Sequence, residues 1–317
     1  MSTPVQLTLA VGEPAGPGLV SLAEADAIAA LAARVGIAAI RIADASPAGS
    51  ALDPTVVAAY LAGRHPGLGF VPELSTTHQA PYNTARRVLS LDRATGGRIG
   101  LALKAGEGDE VSDANAPDPT ASDPAARWAE YALVLTRLWE SFPREALIGD
   151  QAAAIVVEDS LIAAIDHAGA YYRVAGPLDG PSSVQGRPVL VADLFDVDAV
   201  AATADVVVVD HDRASDADAA LTQALQGIGR SRADVALFGR VPVRLEAAAL
   251  APALAADLRA WRDERRLDGI ELVPGGDADE VSTVLRELVP LLAERDTAAP
   301  STLRAAFGLP EFEAVAA

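Results

Sequence analysis

Residues 21–43 read SLAEADAIAALAARVGIAAIRIA. Up to Val35 the apolar residues recur at intervals of three and four, the spacing of one helix face. From Ile37 to Ala43 the pattern changes to a short apolar run, which suits a strand. The same change repeats in both directions. Strands are expected at 5–11, 37–43, 68–74, 98–104, 188–192, 205–209, 235–243 and 270–273, with helical stretches such as 21–35 and 214–226 between them. Strand and crossover helix in alternation imply a parallel sheet, and eight such units fit a closed α/β barrel of the (β/α)8 kind better than an open sheet. Asp53-Pro54 and Asp123-Pro124 each set a capping carboxylate before a proline at the first helical position, so two helices are expected to start there. After Asp123, the residues Trp128, Tyr131, Leu135, Leu138 and Phe142 form one stripe. It is read as core packing rather than an aromatic cofactor box, because a helix outside a barrel must bury one face. The stretch 105–122 is rich in Gly, Pro, Asp and Ser and is expected to be a mobile loop after the fourth strand. A second non-periodic stretch covers 165–187. Neither reads as a linker, so residues 1–317 are expected to form a single domain.

Half of the 317 residues are hydrophobic and only 4% are aromatic, so the core is built from Ala, Val, Leu and Ile. With 25 Lys+Arg against 44 Asp+Glu, the formal net charge is −19. That sign repels a phosphate backbone and an anionic membrane surface, which makes nucleic acid and membrane poor partners. No cysteine is present, which excludes a disulfide framework, thiolate catalysis and cysteine-ligated metal or iron–sulfur centres. Redox chemistry would need a borrowed cofactor. The sequence starts without a basic and apolar leader and has no apolar run long enough to span a bilayer, so the cytoplasm is the expected compartment.

In a barrel of this kind, chemistry belongs at the C-terminal ends of the strands. Those ends carry Glu13, Asp44, Glu73 with Thr76 and Thr77, Lys104, Asp193, Asp210 with His211, and Pro274-Gly275-Gly276. A rim of solvated ion pairs and a polar ligand site are both compatible with this set. The four histidines, at 65, 78, 167 and 211, are too scattered for a helical metal pair, and no metal is expected. The loop from Gly12 to Gly18 has two prolines, which lack donors, and Glu13, which repels anions, so it reads as a turn and not a phosphate cradle. Neither G-x-S-x-G nor S-x-x-K occurs, which leaves serine hydrolase chemistry without a foothold.

The run Pro81-Tyr82-Asn83-Thr84-Ala85-Arg86-Arg87, continuing through SLDRATGGRIG to Gly100, is more specific than any of these. It resembles the bacterial luciferase-like, flavin-dependent monooxygenases, in the branch of nitrilotriacetate and dibenzothiophene-sulfone monooxygenases, where P-Y-N-x-A-R-R precedes S-L-D-x-x-S-G-G-R. Leu138-Trp139-Glu140-Ser141, IDHAGAYYRVAGPL at 165–178, QGRPVLV at 185–191 and STLRAAFGLP at 301–310 extend the resemblance in order. It implies a (β/α)8 barrel with flavin mononucleotide (FMN) or reduced flavin at the C-terminal mouth. It also implies dioxygen activation, a small-molecule substrate, a partner flavin reductase and a homo-oligomer. Asp44 matches the family's A-D-S after strand two and Thr76-Thr77 its S-T-T, which would put them near the flavin ring, with Lys104 near a ring carbonyl. Arg86 and Arg87 are read as helix ion pairs that serve the barrel.

The family's cofactor contacts are altered. Ala102 and Ala105 stand where it has the Asn and Thr of G-W-N-x-V-T-S, and Ala121 and Ala125 stand at its His and Tyr. At the end of strand five, Phe195 and Asp196 replace the two serines of the G-S-S-x-x-G that wraps the flavin phosphate. The stretch between Arg244 and Asp268 is short, so a lid carried there by relatives is expected to be missing. The resulting expectation is a flavin-dependent oxidoreductase or monooxygenase holding its flavin weakly or using it as a substrate. The alternative is a non-catalytic barrel that has lost FMN and binds a partner or another ligand.

Overall fold

The computed structural model describes residues 3–13, 18–44, 51–106, 113, 115–245, 247–293 and 300–312. Eight parallel strands close into a barrel: β1 (Val5–Ala10), β2 (Ala39–Ala43), β3 (Gly69–Ser75), β4 (Gly100–Lys104), β9 (Val189–Asp193), β10 (Val206–Asp210), β11 (Ala236–Val243) and β12 (Gly269–Pro274). Each overlaps one of the eight runs expected from sequence. Closure comes from β1, which pairs with β2 on one side and β12 on the other. Helices α1 (Leu22–Val35), α2 (Pro54–Arg64), α3 (Pro81–Ala94), α4 (Pro124–Glu140), α5 (Val197–Ala201), α6 (Ala217–Gly227), α7 (Ala251–Glu264) and α8 (Ala278–Thr283) lie in the connections.

Local chemistry starts these helices where the sequence placed their starts. Asp53 accepts from the backbone N–H of Thr55 and Val56, and Asp123 from that of Ala125. Ser21 and Glu24 form a reciprocal capping box on α1. Trp128, Tyr131, Leu135 and Leu138 are fully buried. The indole N–H of Trp128 donates to the Leu103 carbonyl at 2.8 Å and the Tyr131 hydroxyl meets that of Thr84 at 2.7 Å, so the stripe is core with its polar atoms satisfied.

Between α4 and β9 no strand was expected, yet two small antiparallel hairpins occur there. One pairs β5 (Leu147–Asp150) with β6 (Ile155–Val157), the other β7 (His167–Ala168) with β8 (Arg173–Val174). The second is fastened by Glu130 on α4, which accepts from the N–H of Tyr171 and Tyr172 and meets His167 Nε2 at 3.0 Å. Of the loop expected at 105–122, residues 107–112 and 114 lie outside the described residues, as do Pro14–Pro17 of the Gly12–Gly18 turn.

Inside the barrel, every second residue of a strand faces the axis, and the lining changes character along that axis. The lower half is apolar, with Val71, Ala102, Val191, Val208 and Phe238 packed on Leu303, Phe307 and Leu309 of the C-terminal segment, which plugs the floor. Phe238 and Phe307 meet edge to face at 5.1 Å. Two residues further along several strands the lining is charged, as the pairs Val71 and Glu73, Val191 and Asp193, Val208 and Asp210, and Phe238 and Arg240 show.

Two ionisable features near the floor and on α3 yield expected outcomes. Asp92 is fully buried and accepts from Ile99 N–H at 2.9 Å and Gln185 Nε2 at 2.8 Å. Burial pushes its carboxyl up to about 6. Because the folded value lies above the unfolded one, the neutral form favours the fold. This contribution is fully present below the ordinary carboxylate range and is lost as pH rises through about 6. Asp92→Asn is therefore expected to flatten the decline in urea midpoint between mildly acidic and neutral pH, and an unchanged slope would assign that decline to other groups. Arg86 pairs with Asp179 at 2.6 Å, both well exposed. Arg86→Ala is expected to change stability by less than about 1 kcal/mol, the ordinary worth of a surface pair, as read from the same denaturation curves.

Candidate functional site

The C-terminal mouth of the barrel is occupied by one continuous ion-pair network. Arg41 on β2 is buried at its centre. It donates through Nε and Nη2 to Glu73 Oε2 at 3.0 and 2.7 Å and through Nη1 to Asp193 Oδ1 at 2.7 Å. Glu271 lies 3.6 Å from it. Arg240 on β11 donates to Glu271 Oε1 at 2.6 Å and also reaches Asp193 and Asp210. Gln6 and Thr8 on β1 complete the shell of Glu271 at 2.6 and 3.0 Å.

Strand geometry explains the arrangement. In register, Arg41 sits beside Val71, two residues before Glu73, and Arg240 sits directly beside both Asp210 and Glu271. Burial alone would favour the neutral forms of these groups. For Arg41, the carboxylates of Glu271, Asp193 and Glu73 outweigh burial and hold its guanidinium well above its usual range. For Asp193, burial is outweighed by Arg41 and Arg240, which hold its carboxyl well below the usual range. Two guanidinium groups thus interlock four carboxylates across the strands.

Above it, Lys104 at the end of β4 reaches Glu73 Oε1 at 3.2 Å and remains nearly half exposed. Asp44 at the end of β2 is also exposed, and its backbone N–H points to the same Glu73 oxygen at 3.4 Å. Burial and then the charge of Glu73 push the Asp44 carboxyl up. Of Asp44, Thr76, Thr77 and Lys104, these two stand open at the mouth. Thr76 and Thr77 are buried beneath the turn after β3. The Thr76 hydroxyl accepts from Gly106 N–H at 3.0 Å, its carbonyl accepts from the Tyr172 hydroxyl at 3.0 Å, and Thr77 Oγ1 meets Ser75 Oγ at 2.9 Å. A Cβ on Gly106 would fall 2.4 Å from Thr77 Oγ1, so only glycine fits against this turn.

Beside the mouth lies a recess of about 760 Å³ lined by His78, Tyr82, Asn115, Tyr171, Tyr172 and Arg173, among others. Three phenol rings and a guanidinium line it. His78 adopts a left-handed backbone conformation, with φ of 66°, which is uncommon for a residue with a side chain and marks a constrained turn.

Several altered positions make contacts of their own. Phe195 packs edge to face on Trp128 with ring centroids 5.8 Å apart. Asp196 is the cap of α5 and accepts from Ala199 N–H at 2.9 Å. Its carboxylate therefore fixes a negative charge at that turn. Ala125 N–H is likewise taken, by Asp123. His211 stacks on Trp261 at 4.7 Å, a packing role. Among the described residues no cluster of three metal-ligating side chains occurs.

Sequence reasoning found Glu73, Lys104, Asp193 and Asp210 but missed Arg41, Arg240, Glu271, Gln6 and Thr8. The missed signal was available: a charged residue inside an apolar run, in phase with the inward-facing positions of its strand.

The model of the family described as luciferase-like monooxygenase matches residues 2–287. Dibenzothiophene-sulfone monooxygenase of Rhodococcus erythropolis is 32% identical over 143 residues, 44% of this chain and 32% of that protein. Nitrilotriacetate monooxygenase component A of Aminobacter aminovorans is 32% identical over 142 residues, 44% of this chain and 31% of that protein. The matched stretch thus spans about a third of the length of these relatives. Among solved structures, EDTA monooxygenase from Chelativorans sp. BNC1 superposes with a TM-score of 0.80 at 19% identity, covering 98% of this chain and 99% of that one. This is a likeness of fold. No described helix is long and apolar enough to cross a membrane.

Proposed function

The chain belongs to the luciferase-like monooxygenase family, and from that premise we propose that it is a flavin-dependent monooxygenase whose mouth receives the flavin ring but does not clasp a flavin phosphate. The observation that carries the second half of this reading is the Asp196 carboxylate seated on its own helix start.

The residues at the mouth suit a flavin ring. Lys104 and Asp44 stand open over a floor of interlocked Arg–carboxylate pairs, while Thr76 and Thr77 hold the turn that shapes one wall. They do not suit a terminal phosphate. Phe195 fills space against Trp128, Asp196 brings negative charge, and Ala102, Ala105, Ala121 and Ala125 offer no side-chain donor. The flavin is accordingly weakly held, or taken up as a substrate in its reduced form from a partner reductase.

A reduced flavin, when bound, supplies electrons for the activation of dioxygen. Lys104 would stabilise negative charge beside the ring, the role of a cation at a developing anion. Glu73 and Arg41 keep it positioned there. Asp44, with its carboxyl raised by burial and Glu73, is the group suited to hold a proton at the mouth. The aromatic recess at Tyr82, Tyr171 and Tyr172 would seat the small-molecule substrate. A homo-oligomer in the cytoplasm completes the reading.

The test is equilibrium titration with riboflavin and FMN. Comparable affinities support the reading, a strong preference for FMN restores a phosphate clasp, and binding of neither contradicts the flavin assignment.

A further inference from the structure

The cavities formed by the described residues differ in charge. Those of about 370, 450 and 510 Å³ each carry two carboxylates in their lining: Asp263 and Asp268, Asp210 and Asp212, and Glu140 and Glu145 respectively. The recess of about 760 Å³ beside the mouth carries none among its described lining, although 44 of the 317 residues are Asp or Glu. It carries Arg173 instead. A chain of net charge −19 repels small anions over most of its surface, and a wall without carboxylates is where an anion meets least opposition.

The hydroxyls of this wall are already spent. Tyr82 donates to the Pro177 carbonyl at 3.4 Å, Tyr171 to that of Asp123 at 2.9 Å and Tyr172 to that of Thr76 at 3.0 Å. One face of Tyr171 is taken by Arg127, whose guanidinium lies 5.0 Å from the ring centre. The wall therefore offers a ligand apolar ring surface, chiefly from Tyr82 and Tyr172, which are partly exposed. Arg173 differs. Its side chain is exposed and meets no carboxylate among the described residues, so its guanidinium donors remain for a ligand. Glu130, which fastens the β7–β8 hairpin, spends its oxygens on Tyr171 N–H, Tyr172 N–H and His167. Arg173 thus follows directly on a fastened stretch of backbone.

We infer that the molecule taken by the recess is planar and largely apolar and bears a carboxylate, its flat body against Tyr82 and Tyr172 and its carboxylate on Arg173. This rests on the reading of the recess as the substrate seat. A guanidinium meets a carboxylate through two parallel N–H···O bonds, and a fastened hairpin lowers the ordering cost of that pairing. Ring walls favour a flat body. An organic cation, which tyrosine faces would otherwise attract, is opposed by Arg173. The hydroxyl of Tyr172 ties its ring to Thr76, so a molecule stacked there lies beside the turn that shapes the mouth.

The purified full chain is titrated calorimetrically with cinnamate and with its neutral counterpart, cinnamyl alcohol. Cinnamate is expected to bind about tenfold more tightly, the worth of a hydrogen bond to a charged group. Arg173→Gln should erase that preference by weakening cinnamate alone, and Arg173→Lys should keep part of it, since the charge stays and the planar fork is lost. Tyr82→Leu should weaken both probes alike, as expected if both lie in the recess. Arg86→Ala removes an equal charge from an exposed pair outside the lining and should alter neither affinity. Equal binding of the two probes by the wild type, a preference that persists in Arg173→Gln, or one lost in Arg86→Ala would each overturn the inference while leaving the recess as a seat for neutral molecules. Binding of neither probe would overturn the seat itself and the inference with it.

Discussion

Arg41→Met is expected to lower the unfolding free energy by about 3–5 kcal/mol, the cost of leaving buried charges without their partner. Glu73 and Glu271 are almost wholly buried, and Asp193 is shared between Arg41 and Arg240. Removing the guanidinium leaves Glu73, Asp193 and Glu271 with only Lys104 and Arg240 to offset their charge. The loss is a large fraction of an ordinary domain's stability. Its pH dependence has a sign that can be checked. In the wild type the carboxyl of Asp193 is held below its unfolded value, so its contribution is present above the usual carboxylate range and is lost as pH falls below it. In Arg41→Met one of the two guanidinium groups that lower the Asp193 carboxyl is gone, so the variant should lose less stability on acidification than the wild type. Urea midpoints across pH read both slopes. Adding Glu73→Gln to Arg41→Met should recover part of the loss, because it removes one of the uncompensated charges.

Phe195→Ser with Asp196→Ser is expected to tighten FMN by about tenfold and to leave riboflavin unchanged. A carboxylate in direct contact with a phosphate at about 4 Å costs ~1 kcal/mol in bulk water and several times that near a protein surface. The replacement serines supply hydroxyl donors. The fold should tolerate the change, since serine is as good a helix cap as aspartate and Phe195 is partly exposed. Riboflavin, which has the ring without the phosphate, is the internal control. Equal gains for both flavins would mean that the pair acts on the ring pocket or on general stability. No gain for either would place the phosphate elsewhere.

The barrel was legible because each strand and its following helix announced itself through local periodicity, and because Asp53 and Asp123 marked helix starts that depend on neighbouring residues alone. The β5–β6 hairpin was not legible. Its residues neither alternate nor carry a hairpin turn signature, and its apolar side chains are not buried in this chain. The site divides in the same way. Asp44 and Lys104 could be placed because they terminate strands, but the sequence does not say that Thr76 and Thr77 point inward to Gly106 and Ser75. Arg41, Arg240 and Glu271 escaped notice because a charge within an apolar strand is stable only if its partners come from neighbouring strands, far away in sequence. Arg41 and Asp193 are brought together by barrel closure alone. Asp196 was expected from the sequence to repel a phosphate, whereas its capture of Ala199 N–H is visible only in three dimensions.

The account stands on a mouth that accepts a flavin ring and gives nothing to the phosphate. Calorimetric titration of the purified chain with riboflavin and with FMN under identical conditions measures this directly. The two dissociation constants are expected to agree within a few-fold. FMN bound a hundredfold more tightly than riboflavin would contradict it.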